Sequence, residues 1–379
     1  MAGSDHGFTI RSTGRDCNAT TSGGNLSPSL LVTAPSGITS FAQDANGELY
    51  ILGRDSQVYR LDPASQAQEG VLPALLSKSG CGLPTSPFDP PEKVFQYQVN
   101  VPFWSDGAQK ERYVSLPQGA TLAVNGNGHI DAPPNTVYIK RFSRNNLEVE
   151  TRLFMRLMDG SWAGFSYAWD SNAKDGVLVP AAGQVSTLSD GTSWRYPSRT
   201  ECLACHGGVA GDTLGTQVGQ FNLDVARSSG KTVNQLVAMS TIGILKGLPS
   251  SDPSTLDKFI SPADTSQPLD LRARTYLHVN CSFCHQPGGN GLGVQDFRLS
   301  KSGLAGLNVC GIAPSYGTFG LSNAALFAAG SPNQSVIPVR MLKVDASRMP
   351  TISSDIVDQD GVAMMQQWIA TTVTCPNLP

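Results

Sequence analysis

Alternating apolar and polar residues mark two β-rich stretches of the chain. In residues 38–62, ITSFAQDANGELYILGRDSQVYRLD, the alternation breaks near residues 45–47 and near residue 55, which predicts a three-strand meander. From about residue 95 to residue 196, aromatic and β-branched residues alternate again in runs such as TVYIKRFS, EVETRLFMRLM and WAGFSYAWD. This second stretch predicts an antiparallel sheet or sandwich.

Helical spacing marks the second half of the chain. Residues 231–245, KTVNQLVAMSTIGIL, and residues 268–280, PLDLRARTYLHVN, are each interpreted as a helix. A closing helix is predicted within residues 355–373, because Val362, Met365 and Ile369 share one face at helical spacing.

Length and composition divide the chain further. With 379 residues it is too long for one ordinary domain, and 39 Gly with 25 Pro indicate many turns and long loops. A stretch rich in Pro, Ser and Gly at residues 63–94 and one rich in Pro, Ser and Asp at residues 251–268 give boundaries that separate residues 1–75, 76–268 and 269–379. The formal net charge of −3 and the lack of a Lys/Arg run argue against nucleic-acid binding. No apolar run approaches the roughly 18 residues of a membrane span.

Two copies of the pattern Cys-x-x-Cys-His carry the candidate chemistry. The first reads CLACH at residues 202–206, and the second reads CSFCH at residues 281–285. A zinc site would need a second ligand pair, and a thioredoxin-type site would need a βαβ setting, which the pattern does not offer. In haem c, two cysteine sulfurs form thioethers with the porphyrin, and the next histidine binds the iron. We therefore predict two covalently bound haem c groups, attached through Cys202, Cys205, Cys281 and Cys284, with His206 and His285 as proximal ligands.

The second haem has a clear candidate for its distal ligand. Met349 and Pro350 stand ahead of the closing helix, which is how class I cytochromes present a thioether to the iron. Met349 is therefore the predicted ligand, with Met341 as the substitute, and packing is the alternative role for Met349.

The first haem has no Met-Pro pair after its motif. His278 lies seven residues before His285, about two helical turns away, so that one helix could serve both irons. His278 is therefore a candidate metal ligand, and an exposed helical histidine is the alternative. An iron with no protein ligand would be open to peroxide or another small molecule. The other candidates for this position are His129, Met155, Met158 and Met239.

Four cysteines remain outside the two motifs. An even number of cysteines in an exported protein indicates disulfides, and the favoured pairs are Cys310–Cys375 and Cys17–Cys81. The N-terminal segment MAGSDHGFTIRST lacks the apolar core of a signal peptide, so it does not supply the export signal that this chemistry needs.

Two further segments have less specific patterns. GGNGLGVQD, residues 288–296, follows a haem motif rather than a strand, so we interpret it as a loop around the haem and not as a dinucleotide site. FWSDGAQKERYV, residues 103–114, is interpreted as a strand end with a solvated turn, and a docking face is the alternative.

Several phrases of the chain resemble an exported bacterial family of dihaem c-type cytochromes. These are VPFWSDGAQKERYVSLP, VETRLFMRL, GSWAGFSYAWD, YPSRTECLACHGG and ARTYLHVNCSFCHQPGG, within residues 85–379. Members of this family are often associated with PQQ-dependent sugar dehydrogenase-like propellers, and residues 38–62 resemble one propeller blade. The resemblance implies electron relay at the cell envelope.

The predicted fold class is multi-domain α+β. Residues 1–75 would form the blade-like meander, residues 76–268 a β-rich domain with the first haem c, and residues 269–379 an all-α class I cytochrome c domain with the second. The predicted function is electron transfer in the periplasm or outside the cell, from a dehydrogenase, with a PQQ-dependent one among the candidates, to another carrier. The alternatives are a dihaem enzyme, such as a peroxidase with an open first haem, and a subunit of a polymeric haem filament.

Overall fold

The computed structural model describes residues 9–10, 17–18, 37–44, 49–54, 56–60, 72–79, 94–169, 175–226 and 230–376. Its strands, in chain order, are β1 (Thr9–Ile10), β2 (Cys17–Asn18), β3 (Ile38–Gln43), β4 (Leu49–Gly53), β5 (Val58–Arg60), β6 (Val94–Tyr97), β7 (Gln109–Ser115), β8 (Leu122–Val124), β9 (Ile130–Asp131), β10 (Val137–Arg144), β11 (Leu147–Arg156), β12 (Trp162–Ala168), β13 (Val177–Leu178), β14 (Gln184–Thr187), β15 (Ser193–Tyr196), β16 (Asp224–Ala226), β17 (Thr232–Asn234) and β18 (Leu245–Lys246).

The described residues form fewer α-helices than strands. The α-helices are α1 (Arg199–Cys205), α2 (Val218–Phe221), α3 (Gln235–Thr241), α4 (Leu269–Cys281), α5 (Gly303–Gly306), α6 (Val336–Met341) and α7 (Gln359–Thr371). Short 3-10 turns lie at Leu76–Lys78, Gly208–Ala210, Pro253–Thr255 and Pro332–Gln334. No helix in the described ranges is long and apolar enough to cross a membrane.

A six-stranded antiparallel sheet is the centre of the protein. Its strand order is β13-β12-β11-β10-β7-β6, so that consecutive long strands pair as neighbours. Successive side chains of a strand point to opposite faces, and both faces of this sheet are covered. On one face, Tyr113, Ile139, Leu153 and Tyr167 pack against the segment around Leu76.

The chain that follows the first Cys-x-x-Cys-His motif covers part of the opposite face. Val114, Tyr138 and Phe154 of the sheet pack there against Phe221 of α2 and Leu236 of α3, and the cluster is almost entirely buried. The β-rich region and the segment of the first motif therefore share one core.

The predicted meander at residues 38–62 forms three antiparallel strands, in the order β3-β4-β5. Of the predicted helix at residues 231–245, only Gln235–Thr241 is helical. Residues 232–234 form β17 instead, because they pair with β16, and the side chain of Asn234 then caps α3 by accepting from the N–H groups of Leu236 and Val237.

Helices α4 and α7 form the core of the C-terminal region. The hydroxyl of Tyr276 in α4 donates to Asp358, the N-cap of α7, at 2.9 Å. Gly361 permits the close crossing, since a Cβ atom there would lie 2.6 Å from the Tyr276 hydroxyl. The predicted disulfide Cys310–Cys375 is confirmed and ties this core to the end of α7. Cys81 and the side chain of Cys17 lie outside the described residues, so the second pairing stays a prediction.

The fold-class prediction is wrong for residues 269–379, which do not form an all-α class I cytochrome c domain. Only α4 and α7 reach 13 residues, whereas α5 and α6 have 4 and 6 residues. The long connection between α4 and α6 consists mainly of turns, and several of its glycines adopt positive φ, including Gly288, Gly317 and Gly320. Glycine lowers helix stability, so this segment cannot supply the further helices of such a domain.

Candidate functional site

The first motif lies on helix α1 and in the turn after it. Ser198 begins the helix with a capping box, because its hydroxyl accepts from the Glu201 N–H while the Glu201 carboxylate accepts from the Ser198 N–H. The helix packs against strand β12 where Gly164 leaves room for Cys202. A Cβ atom at Gly164 would lie 2.7 Å from the Cβ and 2.8 Å from the Sγ of Cys202.

The second motif ends helix α4. Cys281 is the last helical residue, and its carbonyl accepts from the His285 N–H at 3.0 Å, which continues the turn and brings the histidine back toward the helix end. The His285 ring contacts the edge of Phe297, with ring centroids 5.5 Å apart. The Gly-rich loop after the motif contacts His285 closely, since a Cβ atom at Gly291 would lie 2.5 Å from its Nδ1.

The loop that follows the second motif contacts the first motif directly. The Asn290 side chain, from the loop after the second motif, donates to the carbonyl of Ala204 inside the first motif at 2.9 Å. The rings of Phe103 and Phe283 are in edge contact at 5.6 Å. The two sequence motifs, about 80 residues apart, therefore belong to one structural site.

The loop at residues 103–106 fastens the sheet to the second motif. The Trp104 N–H donates to Asn280 of α4, and its indole donates to the carbonyl of Ile356. Asp106 is only 3% exposed and accepts from the Ile356 N–H at 2.8 Å. The strand predicted within residues 103–114 is present as β7, but the turn before it is buried at Asp106, so its interpretation as solvated is wrong. Burial raises the pKa of Asp106 above its usual value, and the Ile356 N–H opposes that rise.

One cavity of about 1110 Å³ borders both motifs. This volume exceeds the roughly 300–1,000 Å³ of a typical small-molecule site. Its lining includes every residue that the sequence predicts to attach or bind a haem: Cys202, Cys205, His206, His278, Cys281, Cys284, His285 and Met349. The predicted site residues are thus brought together around a single space.

His206 presents one ring nitrogen to a ligand. Its Nδ1 lies 2.6 Å from the carbonyl of Asp212, which can only accept, so Nδ1 carries the proton and Nε2 is the basic nitrogen. The Phe154 ring packs against the imidazole at 4.2 Å. Burial, with Lys140 nearby, lowers the pKa of His206 to about 3, so the imidazole is neutral at pH 7, which is the form that binds a metal.

The ring of His285 is also held by a hydrogen bond, but with the opposite polarity. The side-chain NH2 of Gln295 donates to its Nδ1 at 2.7 Å, so in this arrangement the proton of the neutral ring is on Nε2. Burial, with a contribution from Arg340, lowers the pKa of His285 to about 4. Burial also favours the neutral form of the thiols, and it therefore raises the pKa of Cys202 to about 11 and that of Cys281 to about 12.

His278 has both ring nitrogens engaged. The Leu299 N–H donates to Nδ1 at 3.2 Å, so the proton of the neutral ring is on Nε2, which donates to Gln217 Oε1 at 3.0 Å. The amide nitrogen of Gln217 lies 3.3 Å from Nε2 of His129, so that Gln217 joins the two histidines. In this arrangement His278 offers no free lone pair to an iron.

The methionine candidates differ in position. Met349 and Met341 both line the cavity, which keeps both alternatives for the second haem. Met239 is buried in the core between α3 and the sheet, Met155 packs on the far face of the sheet, and Met158 is 75% exposed. Among the candidates for the first haem, His129 and His278 line the cavity, whereas these three methionines do not.

Sequence reasoning did not find the positive lining of the cavity. Seven Lys and Arg side chains border it against a single carboxylate, Glu201, although the whole chain carries a net charge of −3. Four of the seven come from the central sheet: Lys110, Arg112, Lys140 and Arg152. The sequence did contain a sign of this lining. Charged residues stand two positions apart in strands that are covered on both faces, such as Lys110 and Arg112 in β7, and buried charges of this kind need partners.

The chemistry of the lining fits haem c. None of the four motif cysteines is disulfide-bonded, so neither pair is a disulfide. Two buried polar atoms of lining residues, His129 Nδ1 and the Tyr138 hydroxyl, have no hydrogen-bond partner within the described part of the chain. No group of three or more His, Cys, Asp or Glu in the described ranges is placed to hold a metal ion through these side chains alone.

Comparison with known proteins gives no relative for this chain. No protein-family model, no curated protein and no solved structure matches it.

Proposed function

We propose that this protein is a dihaem c-type cytochrome that transfers electrons between partner proteins in the periplasm or outside the cell. The observation that carries the proposal is the shared cavity. Both Cys-x-x-Cys-His motifs border it, none of their four cysteines is disulfide-bonded, and the Nε2 atom of His206 is the basic nitrogen of its ring.

Haem c, when bound, supplies one-electron reduction and oxidation. The residues of this chain attach and orient it. Cys202 and Cys205 would hold one group and Cys281 and Cys284 the other, through thioether bonds. The Asp212 carbonyl fixes the ring of His206 with Nε2 unprotonated, as a metal ligand requires, and Gln295 limits rotation of the His285 ring, which would have to release the proton on Nε2 to bind an iron. Met349, on the cavity wall, is the proposed thioether ligand of the second group.

The contact between the motifs supports a relay role. Because Asn290 bonds to Ala204 and Phe283 contacts Phe103, the two attachment sites share one wall. Two redox groups attached so close together would be coupled, so a donor could deliver electrons to one and an acceptor could collect them from the other. A dehydrogenase, with a PQQ-dependent one among the candidates, is the proposed donor, and another cytochrome or carrier is the proposed acceptor.

The disulfide supports a location outside the cytoplasm. Cys310–Cys375 requires an oxidising compartment to form and persist, and haem c attachment takes place in such a compartment as well.

The test is to produce the full chain with an export signal in a host that attaches haem c. Two haems per chain by pyridine haemochrome are expected. Replacing Cys202 and Cys205 by Ala should remove one haem, as should the same change at Cys281 and Cys284. The matched control removes the disulfide pair, Cys310 and Cys375, which should leave the haem count unchanged. A wild-type protein without covalent haem would refute the proposal.

A second candidate is a dihaem enzyme, such as a peroxidase, with an open first iron. The hydrogen bonds of His278 favour it, because this histidine commits Nδ1 to Leu299 and Nε2 to Gln217. Electron paramagnetic resonance of the oxidised protein separates the candidates. Two low-spin signals support the relay, whereas one high-spin signal supports the enzyme.

A further inference from the structure

Three cations form a row across the central sheet. Lys140 of β10 lies opposite Arg112 of β7 on one side and opposite Arg152 of β11 on the other. Lys110 stands two residues before Arg112 and therefore points to the same face of the sheet. Like charges directly opposite one another on neighbouring strands destabilise a sheet, so this cationic row needs a compensating anion.

The protein provides only part of that compensation. Arg152 is paired with Glu150 through two hydrogen bonds of 2.8 Å. Arg112 and Lys110 each donate to a backbone carbonyl instead, those of Lys110 and Phe103. Lys140 has no carboxylate partner within the part of the chain that the structure describes. Burial, followed by the neighbouring cations, lowers the pKa of Lys140 to about 7 and that of Lys110 well below its usual value.

The cationic row borders the cavity beside the first motif. On β11, Phe154 lies two residues after Arg152, and it contacts the His206 ring at 4.2 Å. On β12, Gly164 pairs with Phe154 and leaves the space for Cys202. The row is therefore on the same face of the sheet as the attachment point of the first haem, and Arg152 lies two residues before Phe154 along β11.

We propose that Lys110, Arg112, Lys140 and Arg152 receive the propionate carboxylates of the haem attached to the first motif. This inference rests on the proposed function. The two propionates of a haem are its only anionic groups. Side chains on neighbouring strands are about 4.5–5.5 Å apart, so two cations of the row can share one carboxylate. Arg112 supplies planar, bidentate donors and Lys140 a point charge, and both are suited to carboxylates.

The test uses the full chain with both haems attached. Lys140→Gln removes one positive charge from the row, Lys110→Gln removes one from its end, and Lys140→Arg restores the charge. Lys343→Gln is the control, since Lys343 is a surface cation outside the cavity lining. For each protein, the haem count and the two midpoint potentials are measured by spectroelectrochemistry at a series of pH values.

We expect Lys140→Gln to change one of the two one-electron components and to leave the other unchanged. Loss of a nearby positive charge favours the oxidised iron, and we expect a roughly tenfold fall in the ratio of reduced to oxidised haem at a fixed potential, or about 59 mV. The potential of this component should also become dependent on pH near neutrality, because a propionate without its cation can bind a proton there. A merely structural role would not create this new pH dependence. Lys110→Gln should give a smaller shift of the same sign, and Lys140→Arg and Lys343→Gln should resemble the wild type.

The inference and the proposed function fail in different ways. A wild-type chain without haem would refute both. Two attached haems, with unchanged potentials at every pH in both Gln variants, would refute the inference alone. A third outcome would also overturn it. If inorganic phosphate causes a saturable change in the absorption of the wild type, and Lys140→Gln abolishes that change, the cationic row binds free anions and not the propionates.

Discussion

Gly164 is the position where the smallest change should disable one haem site. Replacing it with Ala adds a Cβ atom 2.7 Å from the Cβ and 2.8 Å from the Sγ of Cys202. Carbon atoms in contact are normally about 3.5–4.0 Å apart, so Cys202 must move by roughly 0.8 Å or more. The backbone cannot absorb this displacement easily, because Gly164 lies in the middle of β12 and is paired with Phe154 of β11.

The expected cost follows from overpacking. Adding a methyl group to a filled site typically destabilises a protein by about 1–3 kcal/mol. Here the displaced atom is also a predicted point of haem attachment, so we expect a loss of covalent haem at the first motif in addition to the loss of stability. Helix α1 packs against β12 at this position, and its shift should weaken that contact as well.

The assay compares Gly164→Ala with Gly126→Ala. The control glycine has no atom within 4 Å of its added Cβ and is not in the left-handed region, so alanine should be tolerated there. Pyridine haemochrome should give close to one haem per chain for Gly164→Ala and two for the control. Urea unfolding should show a lower free energy of unfolding for Gly164→Ala. Two haems and control-like stability in Gly164→Ala would refute the close packing of β12 on Cys202.

Three other predictions follow from contacts elsewhere. Replacing both Cys310 and Cys375 by Ala opens a loop with a sequence separation of 65. Because the unfolded chain is then less constrained, the free energy of unfolding should fall by about 4 kcal/mol. Urea unfolding against the oxidised wild type measures this change, and equal stability would contradict it. Asp106→Ala leaves the Ile356 N–H without its acceptor, so it should lower the free energy of unfolding by about 1–3 kcal/mol. It should also alter the spectrum of the second haem, because the proposed ligand Met349 lies seven residues before Ile356. A spectral change confined to the first haem would count against Met349 as the ligand of the second. Burial lowers the pKa of His278 to about 4 in the folded protein, whereas in the unfolded chain this histidine binds a proton below about pH 6.5. The free energy of unfolding should therefore fall by up to about 3 kcal/mol as the pH drops from about 6.5 to 4. His278→Gln should remove this part of the slope in urea titrations at several pH values, and an unchanged slope would show that other groups cause it.

Local patterns were sufficient for the elements that local physics determines. The helical spacing of Val362, Met365 and Ile369 indicated α7, and these three side chains are buried together, as the spacing requires. The even number of cysteines outside the motifs indicated two disulfides. The pairing of Cys310 with Cys375 was favoured among three possible connectivities because it staples the end of the chain to a nearby region.

The site depended on contacts that no local pattern contains. Trp104 and Ile356 are 252 residues apart, yet their hydrogen bond joins the loop before β7 to the segment that leads into α7. The wrong prediction of an all-α cytochrome domain has the same origin, because a helix with a Cys-x-x-Cys-His motif and a closing helix were taken to imply the rest of that domain. The long turn-rich connection between α4 and α6 instead closes the region around the cavity.

The shared cavity changes how the two motifs should be interpreted. Treated separately, each pentapeptide indicates only a point of attachment. Their common lining places two requirements on a ligand. The ligand must fit against apolar walls such as Phe103, Phe154 and Phe283, and it must carry negative charge to match the seven cations. A haem meets both, because its ring is large, flat and apolar while its propionates are anionic. The cations of the first site come from β7, β10 and β11, whereas the cysteines come from α1, so the sheet and the motif segment must assemble before either half is complete. For this reason we regard the β-rich region as part of the proposed haem site and not as a separate scaffold beside it.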